Sequence, residues 1–262
     1  MQAKCQVDMT YGDTSKQLFM FTIPILLSQI LQQFYNIADT AIIGRYIGTD
    51  ALAAIGSTGL LISVIVNFFI GLSTGVSAVI ANQFGANEYD KLKKSISTLL
   101  AVSVLLGIVF TIGSLIFMKP IINILQTPKG VYSLAIDYLK ICFLGITFQL
   151  LYNIGTAILR ALGNTKDPLY FLIFSCILNL ILDILFIVYF GWGVKGAAIA
   201  TLISQILATL LVMYKIMSLD DNCKLSLKQI KIYRGYTKDI FLVGLPAGLQ
   251  AIFMSISSLI IV

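Results

Sequence analysis

The chain of 262 residues holds 58% hydrophobic and only 11% charged residues, with a formal net charge of +6 and a mean hydropathy of +0.93. A soluble domain carries roughly 25% charged residues, so the composition excludes a water-soluble globular protein and indicates a polytopic, all-α membrane protein. Histidine is absent, which leaves carboxylates as the groups able to carry any proton traffic near neutrality.

A helix needs about 20 mostly apolar residues to cross a bilayer. Residues 1–17 are polar and show no secretory signal pattern, so they read as a cytoplasmic N-terminal segment. Apolar stretches that meet the length follow at 18–43, 52–81, 95–118, 141–159, 168–190, 196–214 and 240–262. The first six, within 18–217, read as one six-helix lobe. Residues 218–239 are a polar linker, and the seventh stretch opens a second lobe. Gly244-Leu245-Pro246-Ala247 resembles Thr22-Ile23-Pro24-Ile25 at the start of the first stretch, as expected of a parallel repeat about an axis along the membrane normal. The seventh stretch reaches Val262 without a polar flank, so the chain reads as incomplete.

Lysine and arginine set the orientation. With the N-terminus inside, the cytoplasmic side collects Lys4, Lys16, Lys91, Lys93, Lys94, Arg160, Lys166, Lys215 and the basic residues of the linker. Only Arg45, Lys119, Lys129, Lys140 and Lys195 fall on the other side. The positive-inside rule therefore places the N-terminus in the cytoplasm. Such loops face anionic lipid, so the net charge calls for no nucleic-acid partner. Cys5, Cys142, Cys176 and Cys223 show no metal or disulfide spacing and receive no role.

Two carboxylates lie deep in the apolar stretches, Asp39 in the first and Asp183 in the fifth. An ionisable group at mid-bilayer costs on the order of 2.5 to 3.5 kcal/mol, so a helix that keeps one is usually using it. Asn179 precedes Asp183 by one helical turn and shares its face. At 1.5 Å per residue, Asp183 lies about 22 Å from the cytoplasmic end of its helix and Thr201 about 8 Å from the outer end of the sixth, which puts both in the outer half of the bilayer. Asp39 reaches the same layer. Two carboxylates with amide and hydroxyl oxygens suit a hard cation such as Na⁺, or a shared proton. The alternatives are that Asp39 is solvated at the outer interface, and that the asparagines and Thr201 are interhelical hydrogen-bond glue.

Pro24 interrupts the hydrogen bonding of the first helix and predicts a bend, either a hinge or a static kink. Gln29, Gln32, Gln33 and Asn36 give that helix a wet face, suited to lining a central cavity or to packing between lobes. Gly71 and Gly75 form a small-xxx-small spacing, with Gly56 and Gly59 nearby, and predict close helix packing. Gly163-Asn164-Thr165-Lys166 lacks the glycine spacing of a phosphate loop and reads as a tight turn.

Several of these runs together resemble one family. Ile23-Pro24 through Ala38-Asp39-Thr40-Ala41-Ile42-Ile43-Gly44, then Gly71-Leu72-Ser73-Thr74-Gly75 leading to Ala81-Asn82-Gln83-Phe84-Gly85-Ala86, then Arg160-Ala161-Leu162-Gly163-Asn164-Thr165-Lys166-Asp167-Pro168 look like the multidrug and toxic compound extrusion (MATE) transporters. Asn179 with Asp183, and Gly196-Ala197-Ala198-Ile199-Ala200-Thr201, extend the likeness over essentially the whole chain. The resemblance implies twelve helices in two lobes, of which this chain supplies the N-lobe and the start of the seventh helix. The missing C-lobe would lie in the same or another chain. It also implies a plasma-membrane antiporter, not an enzyme, that exports organic, often cationic, compounds in exchange for Na⁺ or H⁺ and needs no other cofactor. In the branch related to the DNA-damage-inducible F proteins, the cation-coupling cluster would map onto Asp39, Asn153, Asn179, Asp183 and Thr201, with Pro24 as the bending proline. Two rivals are a lipid-precursor flippase of the same superfamily, which would want basic residues in its cavity, and an intramembrane aspartyl protease, which would want a glycine-flanked aspartate in place of Leu182-Asp183-Ile184.

Overall fold

In the bilayer every backbone group must find its partner inside the protein, so long apolar segments close into helices. The computed structural model describes residues 14–124, 127–128, 130–219 and 231–261, and they are helical apart from short turns. The helices are α1 Thr14–Tyr46, α2 Thr49–Gly85, α3 Tyr89–Ile124, α4 Tyr132–Leu144, α5 Ile146–Ala161, α6 Lys166–Asp183, α7 Gly193–Met217 and α8 Arg234–Ile261, with a π-helical turn, Ile184–Tyr189, between α6 and α7. Most of the N-terminal segment and of the linker falls outside the described residues.

Two expected spans differ in form. The stretch expected at 141–159 begins at Tyr132 and is two helices, α4 and α5, bent by 45°. The break falls at Gly145, where an added Cβ would stand 2.8 Å from Gln205 Oε1 and 3.1 Å from the Cys142 carbonyl oxygen. Residues around the break are stitched from both sides. Thr209 on α7 donates to the Phe148 carbonyl at 3.0 Å, and the Thr111 and Thr147 hydroxyls share a hydrogen bond of 3.1 Å. The stretch expected at 168–190 leaves α-helical geometry after Asp183. Among the described residues five helices are long and apolar enough to cross a membrane, and the bent α4–α5 pair makes a sixth. The seventh expected span falls on α8, a continuous helix over Arg234–Ile261 whose segment Leu242–Ser255 is apolar.

The main core lies where α2, α3, α4, α5 and α7 converge. Phe69, Val76, Ile96, Leu99, Leu139, Phe143, Leu150, Ile158 and Val212 are buried together there, with Phe69 edge-on to Phe110 at 5.4 Å. The most extensive helix pairing is α2 with α8. It is a seam of glycines. A Cβ at Gly71 would fall 2.5 Å from the Ala247 carbonyl oxygen and 2.9 Å from Gly248 Cα, and one at Gly75 2.8 Å from Gly244 Cα. Close backbone approach is thus the use of Gly71 and Gly75. Gly56 and Gly59, expected to share it, face open space. The segment entering α8 is also tied to α3, since the Lys231 amide donates to Ser97 Oγ at 2.8 Å and the Tyr233 amide to Thr98 Oγ1 at 3.1 Å.

The turn between α5 and α6 has the form its sequence suggests. Gly163 adopts φ +85° and Asn164 Oδ1 accepts from the Asp167 amide at 3.1 Å. Asp167 Oδ2 then receives Asn164 Nδ2 at 2.6 Å and Lys215 Nζ of α7 at 2.8 Å, which ties both helices at the basic end of the bundle. Both side chains of this ion pair are about a quarter to a third exposed. Lys215→Met is accordingly expected to cost roughly 1 kcal/mol, read as a fall of about 2–4 °C in the melting temperature of purified protein.

Candidate functional site: a buried carboxylate pair beside a small cavity

Helix α6 packs on α1 and α7, which brings together four of the five residues expected to form a cation-coupling cluster. Asp183 and Asn179 are fully buried, with 0% and 1% exposure. The Asp39 carboxyl group, from α1, faces that of Asp183 within hydrogen-bonding reach. Asn179 bridges α6 and α7. In the amide orientation that gives both ends a partner, its nitrogen donates to Asp183 Oδ2 at 2.8 Å and its oxygen accepts from the Thr201 amide at 3.1 Å. Thr201 Oγ1 stands 3.3 Å from the same end of the amide and donates to the Ala197 carbonyl at 3.1 Å. Asn179 in this arrangement acts as a strut that fixes Asp183 to α7.

The pair is electrostatically incomplete. Asp39 Oδ1 and Asp183 Oδ1 are both buried and without a hydrogen-bond donor, whereas nearly all buried polar atoms in native proteins have a partner. Two like-charged groups facing each other away from water require a positive charge between them, either a proton or a bound cation. No group of three or more His, Cys, Asp or Glu side chains comes together among the described residues. The donor set is therefore two carboxylates with neighbouring hydroxyl and carbonyl oxygens, which fits a hard cation and not a transition metal.

Residues without an assigned role in the sequence complete the surroundings. Tyr35 lies one helical turn before Asp39, hydrogen-bonds to Thr201 and senses both carboxylates. Tyr138 and Cys142 of α4 hydrogen-bond to each other beside Asp39. The i, i+4 spacing of Tyr35 and Asp39 was visible in the sequence, but the approach of α4 was not. Next to the cluster lies a cavity of about 120 Å³ between α2, α4 and α7, lined by Ile65, Phe69, Tyr138, Gln149, Thr201 and Gln205 among others. Its wall is mainly apolar and contains no lysine or arginine. Thr201 and Tyr138 belong to both the cavity and the cluster.

The remaining candidates sit elsewhere. Asn153 turns its amide back to the Gln149 carbonyl at 2.9 Å within α5. Gln29, Gln33 and Asn36 are exposed along α1, with Asn36 Nδ2 reaching Gln33 Oε1 at 3.5 Å, and none of them lines this cavity. Helix α1 runs without interruption through Pro24, whose carbonyl accepts from Ser28 Oγ at 2.7 Å.

A bundle of apolar spans that holds a carboxylate pair, Asp183 fully buried and Asp39 partly so, defines an α-helical polytopic membrane protein. The family model described as MatE matches residues 24–185, and the chain belongs to that family, whose members are transporters and not enzymes. It is 31% identical over 255 residues to the Probable multidrug resistance protein YoeA of Bacillus subtilis, covering 94% of this chain and 55% of that protein. It is 28% identical over 246 residues to the multidrug export protein MepA of Staphylococcus aureus, covering 94% of this chain and 54% of that protein. A solved structure described as the outward-facing conformation of a multidrug resistance MATE family transporter superposes with a TM-score of 0.87 at 30% identity, covering 95% of this chain and 55% of that one. The chain thus spans about half the length of the relatives it matches.

Proposed function

We propose that this chain is the N-lobe portion of a secondary antiporter that exports organic, often cationic, compounds in exchange for Na⁺ or H⁺. The observation that carries this reading is the Asp39–Asp183 pair, with two buried oxygens lacking donors. An inward-moving cation or proton binds between the carboxylates and neutralises them. A coupling ion does work only through different affinity for two conformations. Asp39 is carried by α1 and Asp183 by α6, so occupancy alters the packing of one helix on the other, with Pro24 as the hinge. The adjacent cavity, which shares Thr201 and Tyr138 with the ion site, takes part of the substrate. A second lobe, in the same or another chain, supplies the opposing wall, and the N-terminus faces the cytoplasm of the cell that holds this multi-pass protein in its plasma membrane.

The test is efflux of a fluorescent organic cation from proteoliposomes holding the full-length protein, under an imposed Na⁺ or H⁺ gradient. Efflux that follows one gradient supports the antiport, and efflux indifferent to both refutes it. Within that assay Tyr35→Phe keeps the aromatic body and removes the hydroxyl that bonds Thr201. Loss of such an outer partner typically weakens ion binding about 10–100-fold, so the variant is expected to need at least tenfold more driving ion for half-maximal efflux.

A further inference from the structure

The hydrogen-bonding register of the fifth span changes directly after its carboxylate. Helix α6 is α-helical up to Asp183, and Ile184–Tyr189 continues as a π-turn, with the Phe190 amide donating to the Leu185 carbonyl five residues back at 3.0 Å. π-turns are rare, and they occur frequently at functional sites. This one is closed from outside. The Trp192 amide donates to the Phe186 carbonyl at 2.9 Å, and the Trp192 ring stacks on Phe186 at 4.9 Å and 20°, with Phe190 at 5.4 Å. Gly191 and Gly193, at φ +66° and +56°, let the chain reverse around the tryptophan into α7.

Gly196 seats α7 on this turn. A Cβ there would lie 3.1 Å from Phe186 Cβ and 3.2 Å from the Phe186 carbonyl carbon and oxygen, so the two backbones meet without a spacer. Further along α7, the Thr201 amide meets Asn179, and Asn179 holds Asp183. The contacts form a closed circuit from Asp183 through Phe186, Gly196, Thr201 and Asn179 back to Asp183. Two points, and not one, therefore fix the register of α7 against α6 at the carboxylate.

We propose that Gly196 and Trp192 are positioning residues of the cation site, which act by holding the π-turn so that Asp183 and Thr201 stay in register. The proposal rests on the ion-coupling reading above. It assigns a role to Gly196 and Trp192, neither of which carries a carboxylate or hydroxyl to the site, and it predicts an effect on ion affinity instead of on the capacity to transport.

The experiment measures, in the full-length protein in proteoliposomes, the half-saturating concentration of whichever ion drives efflux and the maximal rate at saturating ion. Gly196→Ala and Trp192→Ala are each expected to raise the half-saturating concentration about tenfold or more, as loss of outer-shell support does, with the maximal rate recovered at high ion. Trp192→Phe keeps the stack on Phe186 and is expected to stay within about twofold of the unaltered protein. Should Gly196→Ala fail to reach the membrane, the contrast between Trp192→Ala and Trp192→Phe decides. Unchanged half-saturation in Trp192→Ala, or a fall in maximal rate alone, overturns the positioning role while leaving antiport intact. Absence of any ion dependence in the unaltered protein overturns both.

Discussion

Asp183→Asn in the full-length protein is expected to reduce ion-driven efflux of a fluorescent cation to the level of cells without the transporter, while the amount of protein in the membrane stays the same. The substitution keeps the size of a side chain that is fully buried and keeps an acceptor for the Asn179 amide, now 2.8 Å away. It removes one of the two charges that a bound ion must see. Truncating one partner of a buried, hydrogen-bonded charge pair costs about 2–5 kcal/mol of binding, roughly thirtyfold or more in ion affinity. Fold stability should hold or rise, because the variant no longer buries two like charges face to face. Asp137→Asn is the control. That carboxylate pairs with Lys195 at 3.2 Å in a partly exposed bridge, and such pairs contribute about 0–1 kcal/mol, so its efflux should match the unaltered protein. Normal efflux in Asp183→Asn would sink the carboxylate-pair mechanism.

Gly71→Val is expected to produce the largest loss of stability among single substitutions along α2. A Cβ at this position meets backbone atoms, the Ala247 carbonyl oxygen at 2.5 Å and Gly248 Cα at 2.9 Å, and backbone cannot rotate out of the way as a side chain can. Overpacking costs about 1–3 kcal/mol, and here the upper end applies because α8 must move as a whole. A fall of roughly 6–12 °C in melting temperature should follow. Gly56→Ala, at a position with nothing within 4 Å, should leave the melting temperature unchanged or raise it, since alanine is favoured over glycine in a helix by about 1 kcal/mol. Equal effects of the two substitutions would show that α8 does not pack on α2 as described.

How much of this was legible beforehand differs from feature to feature, for physical reasons. Hydropathy exposes a span because the bilayer core is long, and so the helices and their order follow from the sequence. Asp183 and Asn179 stand out because a carboxylate in an apolar run is costly wherever its helix packs. Tyr138 and Cys142 gave no such signal. Their proximity to Asp39 depends on α4 beginning at Tyr132 and bending at Gly145, and a lone glycine in an apolar run does not announce a bend. The π-turn was equally hidden, since Ile184-Leu185-Phe186-Ile187-Val188-Tyr189 reads as more apolar helix. The spacing of Gly71 and Gly75 marks a packing surface, but the identity of the partner, α8, depends on contacts between residues more than 160 positions apart, Gly71 with Ala247 and Gly75 with Val243. Asn153 illustrates the opposite case. Its type invites a place in the cluster, while its amide is satisfied one turn back in its own helix.

The glycine seam between α2 and α8 also determines how those helices can part. Where contact runs through long side chains, a small separation is absorbed by rotamer changes and attraction fades gradually. Here backbone lies on backbone, and a gap of 0.5–1 Å already forfeits about a quarter to a half of the dispersion well. The seam is therefore either closed or lost, with little mechanical travel between. Any motion that separates these two helices must behave as an abrupt release and not as a gradual stretch.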